Sequence, residues 1–256
     1  MEYESFRLSK QGHIATVTLN RPPVNAVNEA SRYELINIFD TLSEDADVRV
    51  VIFTGHGKYF CGGADIKERS RVRDPKKYRE VNRMSLASIT SVKDCRKPVI
   101  GAVNGPAIGA GVALMLNCDI LVASDDAYFW MPEIDRGMVG GATTLSRAFT
   151  PWRARWALLT SGKISAADLY RLDVVQEVVP KDQVMAAATR LAEVIVAKPP
   201  LAVIAAKGVF AAAESLPFRE AALFEANKTI ELATTEDSQE AQRAFVEKRE
   251  PVFHGR

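Results

Sequence analysis

The hydrophobic pattern divides the chain into a first part with alternating predicted strands and helices and a last part with only predicted helices. Short apolar runs predict strands, and apolar residues three or four positions apart predict helices. The predicted strands cover residues 3–8, 13–19, 48–54, 99–103, 120–123, 127–130 and 174–179. The predicted helices cover residues 29–42, 78–92, 143–149, 151–160, 166–172, 183–197, 202–213, 218–233 and 238–248, with a short apolar helix opening at 109–111.

This order predicts an α/β fold with parallel crossover connections. Because the strand pattern stops near residue 180, we expect an α/β body over residues 1–180 and a helical region over residues 181–256. From the pattern alone, the helical region is either a second domain or an oligomerisation element.

The first long helix has a clear predicted start. Asn28 is expected to cap it, because an amide side chain accepts hydrogen bonds from the open N–H groups of a first turn. Tyr33, Ile36 and Phe39 lie at helical spacing and predict its buried face. Further along, residues 68–77 are rich in charge and predict a mobile loop.

Composition excludes several classes of function. The net charge is +1, with 33 basic and 32 acidic residues interspersed, so we expect no nucleic-acid partner. Three histidines without ligand spacing predict no metal site. Three widely spaced cysteines indicate free thiols in a reducing compartment, and the acidic first residues do not resemble a signal peptide. We therefore expect a cytoplasmic protein.

The most distinctive segment covers residues 98–119 and reads PVIGAVNGPAIGAGVALMLNCD. It begins as a strand, breaks at 104–106 and resumes as a helix near Gly109. A glycine-rich turn that opens a buried helix exposes N–H groups beside the positive end of the helix dipole, where an oxyanion can be held. Its prolines and glycines argue against a membrane span, and Leu114 stands where a dinucleotide-binding turn needs its third glycine. Glycines that only allow close packing remain an alternative.

Two other stretches carry candidate chemistry. A second glycine-rich loop, residues 54–65, follows a buried strand, where α/β folds tend to bind ligands. Pro132 fixes the approach of the chain to Glu133, and glycines follow. A turn carboxylate of this kind either caps the next helix or transfers a proton.

Several ordered motifs resemble the crotonase (enoyl-CoA hydratase/isomerase) superfamily. They are VNGPAIGAG at 103–111 with Leu114 and Cys118-Asp119, FCGGADI at 60–66, Pro132-Glu133 with Gly137, Gly140 and Gly141, and AFVEKR at 244–249. The resemblance implies a spiral of ββα units that holds an acyl-CoA site, followed by a helical C-terminal trimerisation region. It also implies a homotrimer or a dimer of trimers, an acyl-CoA substrate that brings coenzyme A as part of itself, no separate cofactor and no membrane.

The same resemblance assigns candidate roles. The amides of Ala64 and Ala110 would hold the thioester carbonyl, and Glu133 would move the proton. Proton removal beside a thioester produces an enolate, and each preorganised donor stabilises it by about 3–4 kcal/mol. The residues expected to bind substrate are Lys58, Gly63, Asp65, Ile66, Lys67, Gly109, Gly141, Phe245 and Lys248, the last two across a subunit contact.

One position departs from the family pattern. Hydratases of this family normally carry a first glutamate three residues after the second donor, and that position here is Ala113. Water addition needs groups that orient and deprotonate water while the other carbon is protonated, whereas double-bond migration needs one base. We therefore expect conversion of 3-enoyl-CoA to 2-enoyl-CoA with Glu133 as the proton shuttle.

Two alternatives remain from the sequence. One is a hydratase or dehydratase for an unusual acyl-CoA, with Asp135, Tyr59, His56 or a substrate group replacing the missing carboxylate. The indole of Trp130 would either shape such a pocket or pack in the core. The other alternative is a non-catalytic subunit that binds acyl-CoA.

Overall fold

The computed structural model describes residues 3–70, 72 and 74–256, which form two β-sheets covered by helices. Its strands are β1 (Phe6–Gln11), β2 (Ile14–Leu19), β3 (Val50–Gly55), β4 (Val99–Val103), β5 (Ala107–Ile108), β6 (Ile120–Ser124), β7 (Tyr128–Trp130), β8 (Ile164–Ser165) and β9 (Glu177–Val179). The predicted α/β fold class is confirmed.

The helices follow the predicted order closely. They are α1 (Glu29–Glu44), α2 (Ile66–Arg69), α3 (Pro75–Asp94), α4 (Ala110–Met115), α5 (Ala142–Ala148), α6 (Pro151–Leu159), α7 (Ala166–Arg171), α8 (Val184–Val196), α9 (Pro200–Ala213), α10 (Phe218–Ala233) and α11 (Glu236–Glu247). Single 3₁₀ turns lie at Ile134–Arg136 and Lys181–Gln183.

The large sheet has the strand order β1, β2, β3, β4, β6, β9. The first two strands form an antiparallel hairpin, and every later pair is parallel. Leu19 pairs with Gly55, and Thr54 pairs with Ala102. The carboxyl ends of β2, β3 and β4 therefore meet at one edge, which is where the two glycine-rich loops begin.

A small second sheet contains β5, β7 and β8. Ile108 of β5 pairs in parallel with Trp130 of β7, and the amide of Gly109 donates to the carbonyl of Trp130 at 2.8 Å. The strands β5 and β8 were not predicted, because two residues carry no periodicity. Their pairing is nevertheless what brings the chain before Glu133 next to the chain before Ala110.

Helix α1 begins where predicted, since the side chain of Asn28 accepts a hydrogen bond from the amide of Ser31 at 2.9 Å. Its predicted buried face was wrong in part. Tyr33 is 55% exposed and Ile36 is only partly buried. Tyr33 and Ile36 fit a helical period as well as the true stripe does, so spacing alone did not decide the face. The buried apolar positions are Leu35, Ile38, Phe39 and Leu42.

The large sheet is covered on both faces. Val51 and Phe53 of β3 share a hydrophobic cluster with α1, whereas Val50 and Ile52 share one with α8. Successive side chains of a strand point to opposite faces, so α1 and α8 lie on opposite sides of the sheet. Burial on both faces explains why β3 reads as a continuous apolar run.

The last helices differ from α8 in burial. Four small or branched residues of α8 are buried, but no residue of α9 is, and α10 buries only Ala221. The sheet and α8 therefore share one hydrophobic core, although α8 lies within the predicted helical region. The division of the chain at residue 180 stays a prediction.

The charged segment 68–77 is partly helical. Residues 68–69 belong to α2 and residues 75–77 to α3, while residues 71 and 73 lie outside the described part of the chain. Among the described helices, no single one is long and apolar enough to cross a membrane. The segment 181–196 together with α9, bent by 108°, has the required length and composition.

Candidate active site

A cavity of about 980 Å³ lies between the segments that follow β3 and β4. Residues within 62–66 and 108–114 line it. Residues within 131–141 and on one face of α3 line it as well. The two glycine-rich segments and the Pro132-Glu133 turn, which are far apart in sequence, thus enclose one space.

The structure brings most of the predicted site residues to this cavity. The predicted residues that line it are Gly63, Ala64, Ile66, Gly109, Ala110, Glu133 and Gly141. Asp65 and Lys67 line a neighbouring cavity of about 660 Å³. Lys58, Phe245 and Lys248 line neither of these two cavities, and all three are exposed.

The amide of Ala64 lies between two hydrogen bonds that fix its neighbours. The amide of Val27 donates to the carbonyl of Gly63 at 2.7 Å, and the amide of Asp65 donates to the carbonyl of Val27 at 2.9 Å. This parallel bridge leaves the amide of Ala64 outside the ladder. Gly63 has φ +94°, a conformation that other residues rarely adopt, and this turns the chain between the two bonds.

The amide of Ala110 is positioned by secondary structure. Ala110 is the first residue of α4, and the first N–H groups of a helix have no acceptor within the helix. Gly109 precedes it with φ +53°, and its own amide is used by Trp130. Within residues 3–70, 72 and 74–256, neither Ala64 nor Ala110 donates its amide to a protein acceptor.

The two amide-bearing segments are packed against each other. The amide of Ile108 donates to the carbonyl of Cys61 at 2.9 Å, and Cys61 forms a bridge with Ala107. A Cβ on Gly63 would lie only 3.7 Å from the nitrogen of Ala110. Gly111 has no room for a Cβ because the carbonyl of Cys61 lies against it. The glycines therefore allow the two segments to pack closely. The amides of Ala64 and Ala110, in the same region, have no protein acceptor in the described part of the chain.

Buried asparagines hold the loop between β3 and Ala64. The side-chain nitrogen of Asn25 donates to the carbonyls of His56 at 2.9 Å and Tyr59 at 2.7 Å. The side chain of Asn104 accepts from the amide of Gly55 at 3.1 Å and donates to the carbonyl of Gly57 at 3.1 Å. These bonds satisfy loop groups that no strand pairs.

Glu133 lies directly beside the Ala110 segment. It is half-buried and starts the 3₁₀ turn Ile134–Arg136. A Cβ on Gly109 would lie 2.6 Å from its Oε1, so the carboxylate rests against the backbone of Gly109. The Glu133 side chain also lies close to Gly140, where a Cβ would be 3.3 Å from its Cγ. A side chain at Gly109 would collide with this carboxylate.

The departure at Ala113 is visible in the cavity wall. Ala113 is 7% exposed and lines the cavity three residues after Ala110. Of the described residues that line the cavity, Glu133 is the only carboxylate. A second carboxylate from elsewhere in the described chain therefore does not occupy the space beside Ala113.

The substitutes considered for that carboxylate lie elsewhere. Asp135, Tyr59 and His56 are not among the residues that line the cavity. Trp130 does not line it either, since its Nε1 donates to the carbonyl of Ser161 at 2.9 Å and its ring packs 4.8 Å from Nζ of Lys163. The packing interpretation of this indole fits the structure better.

The contribution of helix α3 to the cavity was not predicted from the sequence. Helix α3 contributes Tyr78, Asn82, Ser85, Ser88 and Ile89. Positions 78, 82, 85 and 89 lie on one helical face, and this spacing was available in the sequence. Without knowing which face meets the cavity, however, a polar stripe reads as a solvated surface. The buried Arg32 on α1 was missed for the same reason.

Six charged side chains line the neighbouring cavity, three basic and three acidic. They are Arg21, Lys67 and Lys77, and Asp65, Glu68 and Asp74. Asp65 forms an ion pair with Arg21 at 2.9 Å and accepts from the amide of Lys67 at 3.0 Å. Burial raises the pKa of Asp65, but the hydrogen bonds and the positive charge of Arg21 outweigh it and hold that pKa below its usual range.

The cysteines are buried and free, as the sequence predicted. Burial raises the pKa of Cys61 to about 12, so its thiol is neutral at pH 7. Burial also raises the pKa of Cys118 far above its ordinary value. Within the described residues, no group of three or more histidine, cysteine or carboxylate side chains is arranged to hold a metal ion.

This arrangement has the parts that stabilised-enolate chemistry needs. Two N–H groups, from segments that pack against each other, have no protein acceptor among the described residues, and a carboxylate lies next to one segment. Backbone donors preorganised by buried structure stabilise developing oxyanion charge without reorganising during the reaction. A half-buried carboxylate beside them can remove and return a proton.

Comparisons with known proteins agree with this chemistry. The sequence pattern of the family described as Enoyl-CoA hydratase/isomerase matches residues 9–256. A Dictyostelium discoideum protein described as a probable mitochondrial enoyl-CoA hydratase is 37% identical over 251 residues, covering 96% of this chain and 90% of that protein. Carnitinyl-CoA dehydratase from Citrobacter koseri is 33% identical over 261 aligned positions, covering 99% of both.

The fold is also similar to the folds of solved structures. The crystal structure of enoyl-CoA hydratase from Bacillus anthracis superimposes with a TM-score of 0.95 at 31% identity, covering 99% of this chain and 100% of that one. The predicted crotonase fold is thereby confirmed. A match over nearly the whole chain at more than 30% identity establishes that the protein belongs to the enoyl-CoA hydratase/isomerase family and is an enzyme of the crotonase superfamily.

Proposed function

We propose that this enzyme converts 3-enoyl-CoA to 2-enoyl-CoA with Glu133 as its single proton shuttle. The observation that carries the proposal is the cavity wall, on which Glu133 is the only carboxylate among the described residues and Ala113 occupies the other expected position. The carboxylate rests against Gly109, immediately before the candidate donor Ala110.

The reaction follows from these positions. The thioester oxygen accepts hydrogen bonds from the amides of Ala64 and Ala110. Glu133 removes a proton from C2, and the electron pair moves onto the thioester oxygen as an enolate. As the thioester carbonyl re-forms, the double bond shifts from C3–C4 to C2–C3. The same carboxyl group returns the proton to C4. One acid is sufficient because the proton leaves from and returns to the same face.

A second candidate is hydration or dehydration of an unusual acyl-CoA. It is favoured by the relatives, which are named as hydratases and dehydratases. This reaction needs a group that orients water in addition to Glu133. The cavity offers hydroxyl and amide side chains on α3, including Ser85 and Asn82, but no second carboxylate among its described residues.

We also propose that the neighbouring cavity binds the coenzyme A part of the substrate. Ile66 lines the main cavity, and its neighbours Asp65, Lys67 and Glu68 line this one. Its three basic residues suit phosphate groups, although three carboxylates line it too. Lys67 fits this role by position. Lys58 is exposed outside the cavity, so its predicted contact with coenzyme A remains a prediction.

A homotrimer, alone or paired with a second trimer, is the assembly that we propose. The support is the apolar surface of the last helices, where Phe210 is 72% exposed and Phe218 is 90% exposed. Exposed apolar patches of this kind mark interaction surfaces. Phe245 and Lys248 would reach a substrate only in such an assembly. Light scattering should give a mass three or six times 28.1 kDa. A cytoplasmic location stays a prediction from the sequence.

The test of the function is incubation of purified protein with 3-enoyl-CoA and, separately, with 2-enoyl-CoA. We expect double-bond migration with the first and much slower water addition with the second. Glu133→Gln should lower the rate of migration about 100-fold or more, because it removes the only shuttle. Asp135→Asn is the matched control, since Asp135 is a nearby exposed carboxylate outside the cavity.

Water addition that exceeds migration in the unmodified protein would transfer the assignment to the second candidate. Migration that survives Glu133→Gln would refute the proton shuttle. Binding without either reaction would contradict both candidates.

A further inference from the structure

Arg32 is an unusual residue in the wall of this cavity. It lies on α1, and its side chain is only 3% exposed. Its neighbours along the buried face of α1 are small or apolar, including Ser31 and Leu35. A guanidinium remains charged in proteins, and burying a charge is unfavourable unless it is paired and hydrogen-bonded. A buried arginine at this place therefore calls for an explanation in terms of its partners.

Both partners of Arg32 help to hold the segment that carries one candidate donor, the amide of Ala64. Its Nη1 forms an ion pair with Oε2 of Glu68 at 3.2 Å. Its Nη2 donates to the carbonyl of Val27 at 3.2 Å. That same carbonyl accepts the amide of Asp65, and the amide of Val27 holds the carbonyl of Gly63, so Val27 brackets Ala64 on both sides.

Glu68 fastens the other end of the same short segment. Its Oε1 accepts from the amide of Glu29 at 2.7 Å, which ties it to the first turn of α1. Its own amide donates to Oδ1 of Asp65 at 3.3 Å. Arg32 thus ties residues 63–68 to α1 in two ways. It contacts Glu68 directly, and it contacts Val27, whose hydrogen bonds hold Gly63 and Asp65 on either side of Ala64.

We infer that Arg32 is a positioning residue that sets the location of the Ala64 amide and hence the strength of the oxyanion site. This inference rests on the proposed enolate chemistry. Each terminal nitrogen of Arg32 bonds to this framework, one to Glu68 and one to Val27, which ties its charge to the loop. Ion pairs elsewhere around the segment are more exposed, since Arg21 is 32% exposed.

The experiment compares Arg32→Met, which keeps an unbranched side chain without charge or donors, with Arg32→Lys. Lysine keeps the charge but lacks the fork that reaches two acceptors at once. Lys207→Met is the control, because Lys207 is 12% exposed and paired with Asp119 at 2.7 Å, away from the amide segments. The measurements are kcat, KM, the melting temperature and the binding of acetoacetyl-CoA, whose enolate has its own ultraviolet absorbance.

A displaced donor should act on the transition state more than on substrate binding. We expect Arg32→Met to lower kcat about 10- to 100-fold with little change in KM. The bound enolate signal of acetoacetyl-CoA should fall in parallel. Arg32→Lys should recover part of kcat, and Lys207→Met should leave both readouts at the unmodified level.

Arg32→Met can also act by leaving the charge of Glu68 uncompensated. The double variant Arg32→Met with Glu68→Gln removes both charges and keeps an acceptor for the amide of Glu29. If the inference is correct, its melting temperature recovers and its kcat stays low. Recovery of kcat and of enolate binding in the double variant would overturn the positioning role.

Other outcomes are equally decisive. An unchanged kcat with a lowered melting temperature in Arg32→Met would make the arginine structural only. A raised KM with unchanged kcat, or a new preference among acyl groups, would show that it contacts the substrate instead. If Arg32→Met does not fold, Arg32→Lys carries the same comparison. If the unmodified protein turns over no enoyl-CoA, the proposed function fails, and the enolate titration still tests Arg32 by itself.

Discussion

The two candidate oxyanion donors are held in place by different kinds of structure. Ala110 begins a helix whose residues 111–115 are buried, and the preceding strand β5 is paired within the small sheet. Ala64 lies in irregular chain, and its segment is attached to the body through Val27 and the ion pairs of Arg21 and Arg32. Backbone pairing thus positions one donor, and charged side chains contribute to positioning the other.

The two donor segments should therefore be sensitive to different kinds of substitution. Backbone hydrogen bonds within buried secondary structure do not depend on a particular side chain, so substitutions near Ala110 act mainly through backbone geometry. The Ala64 segment depends on ionised groups, and its geometry should therefore respond to charge removal and to pH. In the proposed reaction both amides bind one oxygen, so the weaker support would limit the site.

Ala110→Pro should have the largest effect in this comparison. It deletes one donor N–H, and proline is tolerated at the first position of a helix because that N–H has no acceptor within the helix. We expect kcat/KM to fall about 100- to 1000-fold while the circular dichroism spectrum is unchanged. Glu236→Pro, at the first residue of α11, controls for proline at a helix start. An unchanged kcat/KM would remove Ala110 from the mechanism.

Gly63→Ala should have an intermediate effect. The new methyl group would meet the carbonyl of Ile108 at 2.7 Å, and alanine is strained at φ +94°. We expect the free energy of unfolding to fall by about 1–3 kcal/mol and kcat by about 10-fold or more, because the two amide segments separate. Gly57→Ala is the control, since Gly57 has φ +75° but open space around it. Equal losses of kcat in the two variants would contradict this account.

The pH dependence of the Ala64 segment should be the smallest effect. The pKa of Asp65 is lowered in the folded protein, despite burial that raises it, by the hydrogen bonds and charge of Arg21 and by neighbouring amides. The ionised carboxyl therefore stabilises the fold fully above its unfolded pKa of about 4, and the contribution is lost as the pH falls through the lower folded value. We expect about 1 kcal/mol or less from this ion pair, because Arg21 is partly exposed.

Urea unfolding of the unmodified protein and of Asp65→Asn, measured from pH 6 down to pH 3, checks this sign. The difference between the two should shrink as the pH falls below about 4, since the unmodified carboxyl then loses its charge too. A difference that grows toward acid would mean that Asp65 has a raised pKa in the folded state.

The last four helices show a similar contrast on a larger scale. Helix α8 closes one face of the sheet, while α9 exposes Phe210 and α10 exposes Phe218 and Leu223. All four read as one helical region in the sequence, because helical spacing reports that a helix has an apolar face and not what covers it. For α9–α11 we propose that the cover is another copy of the chain.

Local patterns along the chain predict most of the elements and identify the family. Long periodic segments such as α1 and α3, the cap at Asn28, and the glycine-rich stretches that carry Ala64 and Ala110 are local features, so local patterns report them. The prediction that Glu133 belongs with those amides came from resemblance, because its distance in sequence from both gives no physical reason to join them.

Local patterns do not report which of these segments meet in the fold. The two-residue strand β5 pairs with β7 and so places Glu133 beside Gly109, although two residues have no period to read. The buried face of α1, the polar wall of α3 and the partners of Arg32 were likewise undetermined. Each depends on contacts between segments distant in the chain, and side-chain spacing along one helix cannot specify what that helix touches.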